Sequence, residues 1–189
     1  IRKKKNLPLI GFVARYDPKK DHLNLLKALS IIRSKDIHFY CILVGNKINR
    51  NNKGLNNEIK KLSLNNQIKL LGQSSNILEI MNGLDVHVSS SSYGEGFPNV
   101  IAEAMICGTP CVATDVGDTS FIIGNTGWGG PPNNPTKLAK AIEKALNDLK
   151  TSNWKKRCVK ASLRIKDNFD IKRMIRSYNE AWLKIYKEN

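Results

Sequence analysis

The sequence predicts an α/β fold in which a parallel β-sheet carries helices on both faces. Several short apolar runs, such as residues 7–14 and 37–44, contain few polar side chains, which is typical of strands buried on both faces. These runs alternate with segments whose apolar residues recur at helical spacing. Strands that alternate with helices form parallel sheets through right-handed crossovers, so we expect a Rossmann-like, doubly wound domain.

The predicted strands and helices can be followed in order along the chain. The expected strands are residues 7–14, 37–44, 68–71, 85–89 and 110–114. The expected helices are residues 23–32, 58–64 and 77–81, one that opens within residues 94–103, and 136–149. A loop rich in Gly, Pro and Asn, residues 124–135, is expected between the last strand and the last of these helices.

Length and composition indicate a globular chain. Its 189 residues fit one domain, or one domain with an appendage. The apolar share of 41% and the charged share of 25% are close to the globular average, so we expect a packed core rather than a disordered chain. The basic start at Ile1 has no apolar signal segment and indicates a linker within a longer protein. We expect a linker at residues 1–6, the Rossmann-like domain at 7–166, and a C-terminal amphipathic helix at 167–189.

The four cysteines do not indicate a metal or disulfide site. They are Cys41, Cys107, Cys111 and Cys158, and none forms a Cys-x-x-Cys pair. We interpret them as small buried side chains in a protein of a reducing compartment.

The charge of the chain is strongly basic, with a formal net charge of +15. Residues 150–189 hold 12 Lys or Arg against 4 Asp or Glu, so about half of the excess lies in the C-terminal tail. A basic surface attracts polyanions such as nucleic acid, anionic lipid or a diphosphate. We expect a cytoplasmic protein, and two interpretations of its basic surface stay open: a solvated surface, or peripheral attachment to the anionic inner face of the membrane.

The C-terminal tail carries an apolar stripe at helical spacing. The stripe consists of Ile171, Met174, Ile175, Tyr178, Trp182 and Ile185. It either packs on this domain or docks against a further domain that the chain does not include.

The turn after the first strand is the first candidate for a binding site. Ligands of open parallel sheets bind beyond the carboxyl ends of the strands, and Arg15 and Lys20 lie there. An arginine fork and a lysine point charge can converge on one anion. The strand is not followed by Gly-x-Gly-x-x-Gly, and the chain has no Walker-type Gly-Lys-Ser/Thr, which argues against the usual dinucleotide and P-loop sites.

Residues 94–103 are the second candidate. Gly94 and Gly96 flank Glu95 and allow the backbone to approach a ligand closely. A proline suits the first turn of a helix, whose free amides and dipole favour a phosphate. Helical spacing predicts a buried stripe of Phe97, Val100, Ile101, Ala104, Met105 and Cys107. Glu103 falls at the edge of this stripe, where a carboxylate is costly unless it binds donors such as sugar hydroxyls.

Residues 109–118 are the third candidate segment for a binding site, but their sequence predicts no ligand contact of its own. By themselves they predict only that a helix ends at Gly108 and that a strand follows.

Taken together, these segments resemble the C-terminal domain of the retaining glycosyltransferases of family 4, also called group 1. The resemblance covers nearly the whole chain and includes GFVARYDPKKDHLNLLKAL, the strand that ends in Val44-Gly45, IKLLGQ and LAKAIEKAL. Its most specific part is LDVHVSSSSYGEGFPNVIAEAMICGTPCVATDVGD, in which seven residues separate Glu95 from Glu103. The Arg15/Lys20 pair is a second, independent signal.

The resemblance implies one half of a GT-B enzyme, in which two Rossmann-like domains face each other across a cleft. The C-terminal half holds the sugar nucleotide, and the absent N-terminal half binds the acceptor, a glycan or glycolipid. We expect the chain alone to bind a donor, with UDP favoured over GDP or ADP, and to transfer a hexose-type sugar barely or not at all.

The resemblance also implies roles for particular residues. Arg15 and Lys20 would contact the diphosphate and stabilise charge on the leaving group. Glu95 would bind hydroxyls of the transferred sugar, and Glu103 those of the ribose. The further donor contacts would come from amides of Gly96, Phe97, Asn99 and Val100, and, near the base, from the turn at Gly72 and Gln73. The family needs no metal or other cofactor for the transfer, and His22, His38 and His87 are dispersed in the sequence.

Three other readings stay open. A related epimerase is disfavoured by the Glu95/Glu103 pair and by the Arg15/Lys20 turn. A basic nucleic-acid-binding domain would explain the charge, but it would be expected to interleave aromatics with Lys and Arg on one face, and aromatics make up only 7% of the chain. A non-catalytic anion-binding module is the third reading.

Overall fold

The sheet has six parallel strands. The computed structural model describes residues 7–188, with side chains to residue 186, so the expected linker at residues 1–6 lies outside the described residues. The strand order is β3-β2-β1-β4-β5-β6. The bounds are β1 Leu9–Val13, β2 Tyr40–Val44, β3 Ile68–Gly72, β4 Val86–Ser89, β5 Cys111–Thr114 and β6 Trp128–Gly130. Every strand pair is parallel, which confirms the predicted doubly wound α/β fold.

Eight helices connect and flank these strands in the described part of the chain. They are α1 His22–Ser34, α2 Lys53–Lys61, α3 Ile77–Gly83, α4 Asn99–Ile106, α5 Thr119–Ile123, α6 Pro135–Asp148, α7 Trp154–Asn168 and α8 Ile171–Glu188. A short 3-10 turn, Pro18–Lys20, precedes α1. The helix expected at residues 58–64 begins earlier, because the Asn52 side chain caps α2 by accepting the Leu55 amide at 3.0 Å.

Three elements were not expected from the sequence. Strand β6 lies inside the segment expected to be a loop, because two of its three residues are glycines and only pairing with β5 makes it a strand. Helix α5 spans a single turn and a half, too short for a periodic pattern. Helix α7 has a mostly polar and basic sequence and buries only Ala161 and Ile165, which is too few apolar positions to show a helical stripe.

The core consists of two layers, one on each face of the sheet. Along β2, Cys41 and Leu43 point into the layer under α1, α2 and α6, whereas Ile42 and Val44 point into the layer under α3, α4, α5 and α7. All four side chains are fully buried. Burying an aliphatic side chain of this size stabilises the fold by about 1.5–3 kcal/mol, so the uninterrupted apolar run follows from burial on both faces.

The cysteines are free thiols in this structure. Cys41 and Cys111 are fully buried, and burial raises the pKa of each thiol. Cys107 and Cys158 are only partly buried, so the expectation of buried side chains holds for two of the four.

The apolar stripe of α8 faces solvent rather than this domain. Met174 is 49% exposed and Trp182 is 68% exposed, and the other residues of the stripe lie between these values. Of the two expectations for the stripe, packing on this domain is therefore wrong. Among the described helices, none combines the length and the apolar character needed to cross a membrane.

Candidate functional site

The candidate site lies at the carboxyl ends of the strands, where the strand order reverses direction. The order β3-β2-β1-β4-β5-β6 places β1 beside β4, which is the topological switch point of the sheet. The turn after β1 carries Arg15 and Lys20, and the loop after β4 carries Glu95. Two segments 75 residues apart in sequence therefore meet at the place where open α/β sheets bind ligands.

The turn after β1 is held by its own side chains. Asp17 accepts the Lys19 amide at 2.9 Å and the Arg15 Nε at 2.9 Å. The Lys19 amide first, and then the Arg15 guanidinium, lower the pKa of Asp17 below its usual value. Asp21, at a positive φ of 43°, caps α1 by accepting the Asn24 amide at 3.0 Å. These bonds give the turn a defined shape, while the Arg15 side chain stays 63% exposed.

The Glu95 carboxylate is the centre of the site. Its Oε1 accepts hydrogen bonds from Lys20 Nζ at 2.5 Å and from Ser91 Oγ at 2.5 Å. The Glu95 side chain is only 10% exposed and that of Lys20 21% exposed, so this ion pair is partly shielded from water. The structure thus brings together two of the three residues that the sequence predicts as catalytic, and Arg15 lies in the same turn.

A row of serines after β4 joins the turn to the loop. Ser90 Oγ donates to the carbonyls of Lys20 and Asp21, both at 2.9 Å. The Ser92 amide donates to the Lys19 carbonyl at 2.8 Å. These bonds hold the β1 turn against the β4 loop, so the Lys20–Glu95 pair does not depend on its own attraction alone.

Gly117, in the loop after β5, supports the same site from the other side. Its φ is +58°, and a Cβ there would lie 2.2 Å from the Glu95 carbonyl oxygen and 2.7 Å from that of Gly96. The Asp118 amide donates to the Gly96 carbonyl at 3.0 Å. The sequence places both residues in the candidate segment 109–118 but predicts no role for either, although a glycine shortly after the carboxyl end of a strand is a signal for this edge of the sheet.

Helix α4 presents its first turn beside Glu95. Pro98 is the N-cap residue, and no side chain caps the helix. The amides at Asn99 and Val100 therefore stand at a helix start whose dipole favours an anion. The Gly96 backbone leads into this turn and is exposed.

Two expectations about α4 are wrong. Phe97 does not belong to the buried stripe; it is 41% exposed and packs against Phe169 with ring centroids 5.5 Å apart. Glu103 does not lie at the edge of a buried surface. It is exposed, so its carboxylate is solvated and needs no hydrogen-bond donor to compensate for burial. The fully buried face of the helix is Ile101, Ala104 and Met105, because Phe97 lies before the helix begins.

The turn at Gly72 and Gln73 lies apart from the Lys20–Glu95 pair. Gly72 ends β3, and it bonds to the β2 loop through the Ile48 carbonyl (2.7 Å) and the Gly45 amide (2.8 Å). Strands β2 and β1 separate β3 from β4, which corresponds to about 14 Å at the usual spacing between strands. Gln73 is exposed on the same edge of the sheet, so one extended ligand could reach both places.

His22 begins α1 directly after the turn, but its ring is buried. It contacts the rings of Phe12 (4.8 Å between centroids) and Tyr16 (5.0 Å). Burial lowers the pKa of His22 to about 4, so the ring is neutral at pH 7. Among residues 7–188, no group of three or more His, Cys, Asp or Glu side chains is placed to hold a metal ion.

Comparison with known proteins assigns the chain to a family. The sequence profile of the glycosyl transferases group 1 matches residues 1–161. EpsF of Bacillus subtilis (strain 168), which carries the name of a glycosyltransferase, is 34% identical over 107 residues, or 57% of this chain and 27% of EpsF.

Solved structures share the fold over almost the whole chain. A glycosyltransferase from Rickettsia africae ESF-5 is 30% identical with a TM-score of 0.85, covering 97% of this chain and 49% of that one. Anabaena Alr3699/HepE in complex with UDP-glucose is 26% identical with a TM-score of 0.81, covering 95% and 49%. The chain thus spans about a quarter of EpsF and about half of each solved relative. Together with the matched profile, these likenesses show that the chain belongs to the glycosyl transferases group 1.

Proposed function

We propose that this chain is the donor-binding half of a retaining GT-B glycosyltransferase of family 4, which takes a hexose-type sugar from a UDP-sugar. The acceptor is a glycan or a lipid-linked glycan, as in polysaccharide biosynthesis. The observation that carries the proposal is the Lys20–Glu95 pair at the switch point of the sheet, 2.5 Å between Nζ and Oε1, beside the uncapped start of α4. A cation, a carboxylate and free amides at one edge match a ligand with both phosphates and sugar hydroxyls.

Each part of the donor has a chemically suitable partner in this arrangement. Lys20, with the exposed Arg15, contacts the diphosphate. Glu95 accepts hydroxyls of the transferred sugar, and the amides of Gly96, Phe97, Asn99 and Val100 bind the sugar and the distal phosphate. Glu103 is exposed on α4, where its carboxylate accepts the two hydroxyls of the ribose. Gly72 and Gln73, on the far side of β1 and β2, lie near the base.

The catalytic contribution of this half is electrostatic. As the bond between the anomeric carbon and the diphosphate oxygen breaks, negative charge grows on the leaving group. Lys20, Arg15 and the first-turn amides of α4 stabilise this charge because they are positioned before the reaction begins. No metal ion or other cofactor is required for this role.

The other half of the enzyme covers α8. The apolar stripe of α8 is exposed, and a cavity of about 530 Å³ between α4 and α8 is lined by Phe97, Asn99, Phe169, Met174 and Tyr178, among others. We place the acceptor-binding half there, with residues 167–189 as the element that crosses to it. Without that half, this chain binds the donor weakly and transfers barely or not at all.

Calorimetric titration of the chain with UDP-, GDP- and ADP-sugars tests the proposal. We expect binding to a UDP-sugar, and we expect Glu103→Ala to weaken it about tenfold because the ribose loses a charged hydrogen-bond acceptor. Glu79→Ala, which removes an exposed glutamate on α3, is the matched control and leaves the affinity unchanged. The absence of binding to any sugar nucleotide, or equal affinities for wild type and Glu103→Ala, contradicts the proposal.

The basic surface favours a second candidate, a non-catalytic domain that binds nucleic acid or another polyanion. Its supporting observation is the exposed face of α7, where Lys155, Lys156, Lys160 and Lys166 surround Val159 and Leu163. Within the proposed enzyme, the same face contacts the anionic inner surface of the membrane from the cytoplasm. Binding to DNA or RNA that weakens steeply with salt, without any binding of sugar nucleotides, favours the second candidate. Binding to phosphatidylserine vesicles alongside sugar nucleotides favours the enzyme.

A further inference from the structure

Ser91 is a buried side chain whose hydroxyl bonds to the site itself. It is 2% exposed, and its Oγ donates to Glu95 Oε1 at 2.5 Å. The sequence pattern predicts a strand at residues 85–89 and assigns no role to the serines that follow it. The structure gives these consecutive serines different partners.

The two carboxylate oxygens of Glu95 differ in their hydrogen bonds. Lys20 Nζ and Ser91 Oγ both donate to Oε1, whereas no residue that the structure describes donates to Oε2. An ionised carboxylate has about four acceptor positions, two on each oxygen. With Oε1 occupied by two donors, Oε2 keeps its acceptor positions for a ligand, and the two bonds together restrict rotation of the carboxylate.

Ser91 is itself held in place from the neighbouring strand. Thr114, at the end of β5 and 1% exposed, donates through Oγ1 to the Ser91 carbonyl at 2.6 Å. The position of Ser91 is thus set by two adjacent strands of the sheet rather than by a mobile loop. Such support is what a side chain needs in order to orient another with high precision.

The adjacent serines do not share this role. Ser90 Oγ donates to the carbonyls of Lys20 and Asp21 and so holds the turn. Ser92 is partly exposed, and its Oγ has only distant contacts, at 3.5 Å and 3.4 Å, to the carbonyls of Pro18 and Lys19. Ser92 therefore offers a matched control for Ser91.

We propose that Ser91 is a positioning residue for sugar recognition: with Lys20 it fixes Glu95 Oε1, so that Oε2 faces the hydroxyls of the transferred sugar. This inference rests on the proposed function, because it assumes that Glu95 binds the sugar. The ligand groups concerned are the hydroxyls of a hexose; Ser91 itself contacts neither the diphosphate nor the nucleoside in this proposal.

Calorimetric titration of the chain with UDP and with UDP-glucose, chosen as probes, tests the inference. We expect Ser91→Ala to weaken UDP-glucose binding about tenfold, the order expected for a lost hydrogen bond to a charged group, and to change UDP binding less than about twofold. Ser92→Ala is expected to change neither affinity. Thr114→Val, which keeps the shape and removes the hydroxyl, is a second variant and is expected to give a smaller loss in the same direction.

A double-mutant cycle separates positioning from a general structural effect. In a Glu95→Gln background, Ser91→Ala is expected to cause no further loss for UDP-glucose, because the carboxylate that it orients is gone. Equal losses for UDP and UDP-glucose, or losses that add in the double variant, overturn the inference even if the wild type binds well. If the wild type binds neither ligand, the proposed function is overturned first and the inference with it.

Discussion

Proteins usually bury apolar side chains and expose polar ones, and two regions of this chain do the reverse. The loop between β4 and α4 buries polar side chains, whereas the C-terminal helix α8 exposes apolar ones. In the loop, the polar side chains of Ser90, Ser91 and Glu95 are buried or nearly so. In α8, large apolar side chains such as Tyr178 and Trp182 are more than 60% exposed.

The two regions also differ in how they are supported. The loop polar groups have close partners: Ser90 and Ser91 donate to carbonyl and carboxylate oxygens at 2.5–2.9 Å, and Thr114 holds the Ser91 carbonyl at 2.6 Å. The apolar face of α8 has no comparable cover within the described part of the chain. Buried, satisfied polar groups are typical of a site that is built within one domain, whereas a large exposed apolar face is typical of a surface that needs a partner.

Gly117→Ala is the change expected to break the loop region most severely. A Cβ there would lie 2.2 Å from the Glu95 carbonyl oxygen, at a φ of +58° that L-residues rarely adopt. We expect the free energy of unfolding to fall by about 3 kcal/mol, because backbone strain and steric overlap of the new Cβ add together. Binding of a UDP-sugar is expected to fall below detection. Thermal unfolding and calorimetry measure the two effects.

Gly96→Ala is the control for this prediction. No atom lies within 4 Å of the Cβ that it would add, and its φ is not positive, so its stability should stay near that of the wild type. Equal stabilities for Gly117→Ala and Gly96→Ala would show that the β5 loop does not support the site.

Acid is expected to lower the free energy of unfolding through two buried histidines in the elements next to the loop, His22 in α1 and His87 in β4. Helix α8 contains no histidine. Burial lowers the pKa of both His22 and His87 to about 4, below the usual 6.5. Between pH 6.5 and pH 4 the unfolded chain therefore binds more protons than the folded chain. The stability that the neutral, buried histidines contribute is fully present above about pH 6.5 and is lost as the pH falls towards 4. At pH 5 each histidine is expected to cost about 2 kcal/mol.

Unfolding by denaturant at pH 7 and pH 5 measures this loss. His87→Leu, at a histidine that is only 1% exposed, is expected to reduce the difference in the free energy of unfolding between the two pH values. A His87→Leu variant with the wild-type loss of stability would contradict the prediction.

Trp182→Ser on α8 is expected to have the smallest effect on this chain. Trp182 is 68% exposed, and Trp and Ser have similar helix propensities, so the free energy of unfolding should change by no more than about 0.5 kcal/mol. Ile101→Ser, at a fully buried position of α4, is the contrasting variant and should destabilise the chain by several times as much. In a protein that contains the other half, Trp182→Ser is expected to weaken the association of the two halves.

Most of the fold follows from patterns that are local in sequence. Apolar runs such as residues 37–44 predict strands buried on both faces, and the structure confirms five of the six strands within a few residues. Strand β6 could not be predicted, since Gly129 and Gly130 have no strand pattern of their own and become a strand only by pairing with β5. Helix α7 could not be predicted, because only Ala161 and Ile165 are buried and two apolar positions in a mainly basic sequence do not form a periodic pattern.

The sequence by itself determined the fold class, the edge of the sheet where the site lies, and the presence of Lys20 and Glu95 in segments at that edge. Only the tertiary structure decided that these two side chains meet, that Ser91 and Gly117 support them, and that Glu103 and Phe97 are exposed. The physical reason is that periodicity reports which face of an element is apolar, whereas a contact between residues 20 and 95 depends on which strands are neighbours. That neighbourhood is set by the packing of the whole sheet, which placed β1 beside β4.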